Sequence, residues 1–180
     1  MTQALIDTSV ISNFARVRIE PLIAVVVPQC TTTDEVLAEL QSGISLGHLP
    51  LECDLQWLSV VTLSEAERIL FNEFSRQGLG PGESSCIAVA VTRRCSVFTD
   101  DKAARSLSQS LQLPVSGTLG ILVSLELISE MVSQQNPNAC QMHKADVVFN
   151  LILIAHCNPA MAQQPAVQAF NLPSPLVTSQ

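Results

Sequence analysis

Five acidic side chains recur where predicted strands give way to helices, or on those helices. They are Asp7, Glu39, Glu83, Asp100 and Asp101. Carboxylates that are brought together repel one another and raise each other's pKa unless a cation lies between them. Mg²⁺ and Mn²⁺ prefer oxygen ligands, and such an ion lowers the pKa of a bound water and stabilises a phosphoryl transition state. Because no histidine or cysteine stands beside these acids as a nucleophile and no Ser-His-Asp order is evident, the pattern predicts metal-assisted hydrolysis of a phosphodiester.

The adjacent pair Asp100 and Asp101 follows a predicted strand at residues 96–99 and precedes a predicted helix from Lys102 to about Leu111. Acids in this setting lie at the carboxyl edge of an α/β sheet, which is the usual ligand site of such folds. One Asp is enough to cap the next helix. A capping role for either acid and a functional role for the pair therefore both remain open.

Asp7 stands in the same setting, between the apolar residues 4–6 and a predicted helix that starts with Thr8 and Ser9. Asp7 could instead be a helix cap or an Asx-turn residue. Asn13 falls on the same helix, where it could orient groups near Asp7 or simply occupy an exposed polar position.

The next predicted helix carries two acids four residues apart, Glu35 and Glu39, which share one face. It follows a predicted buried strand at residues 22–27 and opens at residues 31–34. Glu35 fits a capping box with Thr32. Glu39 lies among apolar residues, where a carboxylate is costly to bury unless it is paired or binds a metal. Glu39 is therefore the functional candidate on this helix.

Glu83 directly follows the strongest loop signal of the chain, residues 78–82, and opens a helix of small apolar residues at 84–91. The loop lacks the Lys and Ser/Thr that end a Walker loop, and it does not form G-x-G-x-x-G after a strand. The helix is predicted to pack closely on the sheet, which brings its first turn near the end of the strand before Asp100. A first-turn acid stabilised by the helix dipole remains the alternative for Glu83.

The remaining elements are predicted from apolar periodicity and turn residues. Residues 57–61 predict a strand, and residues 64–76 predict a helix opened by a capping box, whose first acids are dipole partners outside the site. Residues 113–115 predict an extended segment, and a helix is predicted from 121 to about 132. Thr118 could contribute a hydroxyl to the site or cap that helix.

The chain of 180 residues has 47% apolar residues, few aromatics and no tyrosine, which predicts an aliphatic core around a buried parallel sheet. The net charge of −7 argues against a broad electrostatic nucleic-acid surface, although a carboxylate site is itself acidic. Lys102 and Arg105 belong to a local basic group and are candidate contacts for a substrate phosphate. Solvated positions on a helix explain them equally well.

None of the six cysteines forms a C-x-x-C pair, and the histidines lack zinc-ligand spacing, which predicts buried thiols, a reducing cytoplasmic compartment and no structural zinc. Asp7 interrupts the only apolar start, so no signal peptide is expected, and no segment has the length of a membrane span. The predicted organisation is a nuclease domain at 1–134, a linker and possible docking helix at 135–157, and a largely disordered tail at 158–180.

Four segments resemble, in their order and spacing, the acidic motifs of PIN domains. They are residues 5–14 (LIDTSVISNF), 36–40 (VLAEL), 80–88 (GPGESSCIA) and 98–105 (FTDDKAAR). Residues 115–122 (VSGTLGIL) match the segment that usually follows in the branch whose third acid is a Glu after a glycine loop. The resemblance covers about residues 3–133.

The resemblance implies a three-layer α/β/α fold with a mostly parallel sheet and an Mg²⁺- or Mn²⁺-dependent ribonuclease, as in VapC-like toxins of toxin–antitoxin pairs. It implies an RNA substrate, a cognate antitoxin protein as partner, and a homodimer. Its implied metal ligands are Asp7, Glu39 and Glu83, with Asp100 or Asp101 completing the site. Thr8, Ser9 and Asn13 match supporting positions of the family.

Two other classes compete with a nuclease. A PIN-like fold that no longer cleaves could serve as an RNA- or protein-binding module, which the full set of acids disfavours. A phosphotransfer protein fits poorly, because a receiver domain carries its acid pair near the first strand. A dehalogenase-type phosphatase needs D-x-D after that strand, where this chain has Ser9.

Overall fold

The computed structural model describes residues 3–27, 29–53 and 55–125. The predicted linker at 135–157, the predicted tail at 158–180 and the predicted end of the last helix lie outside these residues. The described residues from 3 to 121 group into one unit by their contacts.

The centre of this unit is a five-stranded sheet in which every neighbouring pair is parallel. The strands are β1 (Ala4–Ile6), β2 (Cys30–Thr33), β3 (Ser59–Val61), β4 (Ser96–Phe98) and β5 (Val115–Ser116). Their order across the sheet is β3-β2-β1-β4-β5. β1 is buried along its whole length, as the predicted parallel sheet requires.

Helices cover both faces of the sheet. They are α1 (Thr8–Arg16), α2 (Ile23–Val26), α3 (Asp34–Ser45), α4 (Glu65–Arg76), α5 (Pro81–Arg93) and α6 (Lys102–Ser110), and the chain is helical again from residue 118. Parallel strands are joined by right-handed crossovers, which place α1 and α3 on one face and α4, α5 and α6 on the other. α1 contacts α3, α4 contacts α5 and α5 contacts α6, while α3 and α5 also contact one another where Glu39 accepts from the backbone N–H of Gly82. The predicted three-layer α/β/α fold is confirmed.

The core is aliphatic, as the composition predicts. Fully buried side chains include Leu5, Ile6, Ile11, Leu40 and Ile87, and Phe14 is the largest of them. α5 is buried from Ser84 to Ala90 and contacts β1, β2 and β4. The small side chains of α5 therefore allow the close approach to the sheet that its sequence predicts.

The predicted strand at residues 22–27 is wrong. The chain forms a 3-10 turn over Glu20–Leu22 and then α2. Ile23 and Val27 are buried whereas Val25 is exposed, so the buried positions repeat every four residues as in a helix. A short apolar β-branched run suits a buried strand or a buried helical turn equally well, and its periodicity is too brief to distinguish them.

The second strand instead lies at β2, where the sequence predicts the start of a helix. Its threonine hydroxyls are buried and hydrogen-bonded: the hydroxyl of Thr32 donates to the carbonyl of Ile6 at 2.8 Å, and Thr33 pairs with Ser85 at 2.6 Å. Thr33 is also the cap of α3, since its hydroxyl accepts from the backbone N–H of Val36. The predicted capping box of Thr32 with Glu35 is therefore wrong.

The predicted capping box at the start of α4 is confirmed. The Ser64 hydroxyl accepts from the backbone N–H of Glu67, and the Glu67 carboxylate accepts from the backbone N–H of Ser64 at 2.7 Å. Glu67 is 2% exposed and also accepts from Thr92 and from the Arg93 guanidinium, both at 2.7 Å. The hydrogen bonds from Arg93 lower the pKa of Glu67 from about 4.5 to about 2.

Replacing Glu67 by Gln is expected to lower the free energy of unfolding at pH 7 by about 2 kcal/mol, because Arg93 then loses its buried partner while staying charged. A lowered folded-state pKa stabilises the protein above the unfolded value near 4.5, and this contribution is lost as the pH falls toward about 2. The difference between the two proteins should therefore shrink between pH 4.5 and 2. Urea unfolding at several pH values measures it.

The exposed Glu65 on the same helix is the matched control. Glu65→Gln should change the unfolding free energy by less than about 0.5 kcal/mol at either pH. An equal effect of both substitutions would show that the helix dipole, and not the ion pair with Arg93, gives Glu67 its importance.

Candidate active site

The candidate site lies at the carboxyl edge of the sheet between β1 and β4. The direction in which the chain adds strands reverses here: β2 and β3 lie on one side of β1, and β4 and β5 lie on the other. Ligands of open α/β sheets bind at such a switch point. Asp7 directly follows β1, and Asp100 follows β4 with Thr99 between them. The backbone N–H of Asp7 donates to the carbonyl of Phe98 at 3.0 Å.

Asp7 is fully buried, and its two carboxylate oxygens differ. Oδ2 accepts from the Ser9 hydroxyl at 2.6 Å, from the Ser9 backbone N–H at 3.3 Å and from the Thr99 hydroxyl at 3.0 Å. Oδ1 is buried and has no hydrogen-bond partner among the described residues. Asp7 therefore caps α1, as the structural alternative predicts, but capping accounts for only one of its oxygens.

Burial raises the pKa of Asp7, and the nearby Glu39 adds to the rise against the lowering effect of the hydrogen bonds from Ser9 and Thr99. A buried carboxylate oxygen without a donor costs about 1–3 kcal/mol, and more when it is charged. The arrangement is therefore unfavourable for a purely structural Asp and suited to one that receives a cation.

Glu39 accepts hydrogen bonds from the first turns of two other helices. Its Oε2 accepts from the Thr8 hydroxyl at 2.5 Å, and its Oε1 accepts from the backbone N–H of Gly82 at 2.9 Å. Thr8 is the first residue of α1, and Gly82 is the second residue of α5. The Glu39 carboxylate is thereby fixed next to Asp7.

Gly82 marks the space between these acids. A Cβ atom at this position would lie 2.6 Å from Glu39 Oε2 and 3.1 Å from both Asp7 Oδ1 and Thr8 Oγ1. Oxygens from α1, from α3 and from the residue after β1 thus surround one point that only glycine leaves open.

Glu83 is in the first turn of α5 and belongs to the same acidic group. Its pKa is raised from 4.5 to about 7, first by burial and then by the charges of Asp7, Glu39 and Asp101. A helix N-terminus by itself favours the charged form of an acid. The Glu83 carboxylate lies against Gly80 at the start of its own helix, since a Cβ atom at Gly80 would collide with Glu83 Oε2, so the first-turn alternative and a role among the acids both remain open.

The two adjacent aspartates occupy different environments. Asp100 Oδ1 accepts from the backbone N–H of Thr118 at 3.0 Å, and Oδ2 accepts from the Asn13 amide at 2.9 Å and from the Thr118 hydroxyl. Asp101 caps α6, since its Oδ1 accepts from the backbone N–H of Ala104 at 2.7 Å. Asp100 thus has both oxygens engaged, whereas Asp101 Oδ2 accepts no hydrogen bond from the described part of the chain.

Two hydroxyls connect Asp7 to this pair. The Ser9 hydroxyl donates to Asp7 and accepts from the backbone N–H of Asp100 at 3.0 Å. The Thr99 hydroxyl donates to Asp7 and accepts from the backbone N–H of Asp101 at 3.2 Å. Thr99 is fully buried and was not among the residues predicted from the sequence. A hydroxyl residue directly before two acids at a strand end is the signal that could have identified it.

The other supporting residues, Asn13 and Thr118, both contact Asp100. Asn13 is buried and does not occupy an exposed position, and it contacts Asp100 instead of Asp7. The Thr118 hydroxyl contacts Asp100 and also accepts from the Asn13 amide at 3.2 Å. Both residues therefore hold the segment after β4 against its neighbours.

The two candidate phosphate contacts differ in how firmly they are held. Lys102 is exposed at the first position of α6. Arg105 is half-buried, and its Nη1 donates to the backbone carbonyl of Thr99 at 3.1 Å. Only the guanidinium of Arg105 is thus tied to the carboxyl edge of the sheet.

Within the described ranges, no group of three or more His, Cys, Asp or Glu side chains is already arranged to hold a metal ion. The residues fit a hard cation in two respects. Asp7 Oδ1 is buried without a donor, and the point beside Gly82 is surrounded by oxygens.

The cysteines near the sheet are not nucleophiles. Burial raises the pKa of Cys30 to about 12 and that of Cys86 well above its ordinary value. The Cys86 thiol donates to the carbonyl of Ile6 at 3.6 Å. A thiol that stays protonated at neutral pH is a poor nucleophile.

A family model described as a PIN domain matches residues 3–149. The chain belongs to the PIN-domain family, whose members are generally nucleases, and the parallel sheet with acids at its switch point is the fold expected for it. No curated protein matches the chain. The match runs beyond residue 134, and the domain boundary predicted there stays a prediction.

Among the described residues, no helix is both long enough and apolar enough to cross a membrane.

Proposed function

We propose that this protein is an Mg²⁺- or Mn²⁺-dependent endoribonuclease. The observation that carries the proposal is Oδ1 of Asp7, which is buried without a hydrogen-bond partner in the described part of the chain and faces the space beside Gly82 together with Glu39. An oxygen-lined space with excess negative charge favours a hard divalent cation over any other resident group. A phosphodiester is the substrate class for which such an ion is most useful, because the ion offsets the negative charge of the phosphate.

The ligands in this proposal are Asp7, Glu39, Glu83 and Asp101. Asp101 is preferred to Asp100 because its charge contributes to the raised pKa of Glu83, whereas both oxygens of Asp100 are occupied by Asn13 and Thr118. Asp100 then acts as a positioning residue that fixes the segment carrying Asp101.

Two of the proposed ligands, Asp7 and Glu39, are oriented by hydrogen bonds from other elements. Ser9 and Thr99 fix Oδ2 of Asp7, which leaves Oδ1 facing the space beside Gly82. Thr8 and the backbone N–H of Gly82 fix the Glu39 carboxylate. A divalent ion held there would supply an acidic water and polarise the phosphate. Burial and the neighbouring carboxylates raise the pKa of Glu83, and a cation held among these acids would lower it again and keep the carboxylate charged.

The finer role, a toxin of the VapC-like kind that a cognate antitoxin neutralises in the cytoplasm, rests on the resemblance of the motifs. A homodimer belongs to the same proposal. Both follow from the resemblance and not from a surface of this chain.

The experiment that tests the proposal is cleavage of a mixed RNA pool by the purified protein with Mg²⁺, with Mn²⁺ and with EDTA. Cleavage is expected with either metal and should stop in EDTA. A folded wild-type protein that leaves the pool intact under all three conditions would contradict the proposal and favour a non-cleaving binding module.

Glu39→Gln is expected to lower the cleavage rate by about a hundredfold, whereas Glu35→Gln should stay within about threefold of wild type. Glu39 contacts Thr8 and Gly82 beside Asp7, and its charge contributes to the raised pKa of Glu83. Rates on the same RNA pool at saturating Mn²⁺ give the comparison.

Glu35 is a demanding control, because it lies on the same helix and its Oε2 is also buried without a partner among the described residues. The reverse ranking would mean that Glu35 supplies the helix carboxylate of the site and that Glu39 only links α1 to α5.

A further inference from the structure

We infer that Arg105 is a positioning residue of the proposed metal site. Its hydrogen bond to the Thr99 carbonyl holds Asp7 and Asp101 in the arrangement that binds the ion, so Arg105 acts through these acids and not through a contact with RNA. The inference rests on the proposed nuclease function and names a residue that this site requires although it is not a ligand.

Arg105 holds both ends of the segment that carries the two adjacent aspartates. Its backbone N–H donates to the carbonyl of Asp101 at 3.0 Å, and its Nη1 donates to the carbonyl of Thr99 at 3.1 Å. Thr99 is fully buried, so water cannot readily replace a donor that its carbonyl loses. The Arg105 side chain is therefore expected to decide where the Thr99 peptide group lies.

Thr99 passes this position on to two of the proposed ligands. Its hydroxyl donates to Asp7 Oδ2 at 3.0 Å and accepts from the backbone N–H of Asp101 at 3.2 Å. A shift of Thr99 would therefore move the hydroxyl that orients Asp7 and release the backbone that places Asp101. Loss of a residue that orients a metal ligand typically lowers metal affinity by about 10- to 100-fold.

The surroundings of the guanidinium favour a role within the protein. A Cβ atom at Gly117 would lie 3.1 Å from Arg105 Nη1 and 3.0 Å from the Thr99 carbonyl oxygen, and it would collide with Asp100 Oδ1. The Asp100 carboxylate thus lies next to the guanidinium, on the other side of this point. Half-buried Arg105 therefore already has a carbonyl and a carboxylate beside it, which are acceptors of the kind that a phosphate would supply.

The charge of Arg105 and its hydrogen bond have opposite effects on a metal ion, so an experiment can separate them. A positive charge near carboxylates repels a cation, and its removal alone should strengthen Mn²⁺ binding. Loss of the hydrogen bond to Thr99 should weaken Mn²⁺ binding. Lys102→Gln removes an equal charge from the same helix without removing the donor to Thr99.

The test measures the affinity for Mn²⁺ alone, from the loss of the EPR signal of the free ion, and needs no RNA. Arg105→Gln should bind Mn²⁺ about tenfold more weakly than wild type, in spite of the lost positive charge. Arg105→Lys can still donate to the Thr99 carbonyl but from a less suitable geometry, so it should lose only about threefold. Lys102→Gln should stay within about twofold of wild type or bind more tightly.

Glu67→Gln controls for lost stability, because the ion pair of Glu67 with Arg93 lies at the last residue of α5 and Glu83 lies in its first turn. This variant should keep the wild-type Mn²⁺ affinity. A second readout is RNA cleavage at increasing Mn²⁺. Saturating Mn²⁺ should restore most of the kcat of Arg105→Gln, with the KM for RNA unchanged. A phosphate contact would instead raise that KM and leave the Mn²⁺ affinity unchanged.

An Mn²⁺ affinity of Arg105→Gln within about twofold of wild type, or an equal loss in Glu67→Gln, would overturn the inference and leave the proposed nuclease standing. If Arg105→Gln does not fold, wild-type affinity in Arg105→Lys would overturn it. A wild-type protein that binds no Mn²⁺ would overturn both. Mn²⁺ binding that depends on Arg105 in a protein that cleaves no RNA would overturn the nuclease alone.

Discussion

Asp7→Asn is expected to abolish metal-dependent RNA cleavage, with a loss of about a thousandfold or more, while the fold stays intact. The substitution keeps the shape of the side chain, and Asn is as good a helix cap as Asp. It removes the charge from Oδ1, the buried oxygen that has no donor among the described residues. A ligand that loses its charge binds a divalent cation far less well. Cleavage rates and thermal unfolding, measured side by side, separate the two effects.

The stability of the metal-free variant provides an independent check. Burial raises the pKa of Asp7, so the charged form destabilises the folded state as the pH rises through that pKa. Asp7→Asn should therefore unfold at the same temperature as wild type or a higher one at pH 8 in EDTA. Asp34→Asn, at the exposed start of α3, should leave both cleavage and stability near wild type. Full cleavage by a folded Asp7→Asn protein would refute the assignment of the site.

Gly82→Ala is expected to lower the cleavage rate by about a hundredfold without unfolding the protein. The added Cβ atom would lie 2.6 Å from Glu39 Oε2, which is too close, so the end of the Glu39 side chain must move away. A misplacement of about 1 Å at a reacting centre lowers the rate by about a hundredfold. The backbone at Gly82 is helical, and Ala is a better helix former than Gly, so the thermal midpoint should not fall.

Gly43→Ala is the matched control, since Gly43 also lies within a helix. Its added Cβ atom would meet only the side chain of Leu49, at 3.2 Å, away from the acids. This variant should cleave RNA at nearly the wild-type rate. Unchanged cleavage in Gly82→Ala would show that the space among Asp7, Glu39 and Thr8 is not used in the reaction.

Most elements were predictable because their signals are local. The change from strand to helix after Ile6 and after Phe98 can be read from apolar runs that end in Asp, and the start of α5 can be read from its glycine loop. The capping box of Ser64 with Glu67 was predictable for the same reason, since its partners are three residues apart.

The errors occurred where the local signal is ambiguous. Residues 22–27 have the composition of a strand but form a helical turn, and the polar threonines of β2 form a central strand. Threonine is tolerated there because the partners of its hydroxyls come from distant parts of the chain, as with Thr32 and Ile6 or Thr33 and Ser85. A single sequence does not show such partners.

The sequence by itself determined the parallel α/β fold and predicted which acids form the site, because both follow from apolar patterns, from turn residues and from side-chain chemistry. Only the tertiary structure decided how the acids differ. In the folded chain Asp100 accepts from Asn13 and Thr118, one oxygen of Asp7 has no donor among the described residues, and Glu39 accepts from the backbone N–H of Gly82. These differences arise from hydrogen bonds and burial between residues far apart in the chain, and the folded sheet edge is what brings those residues together.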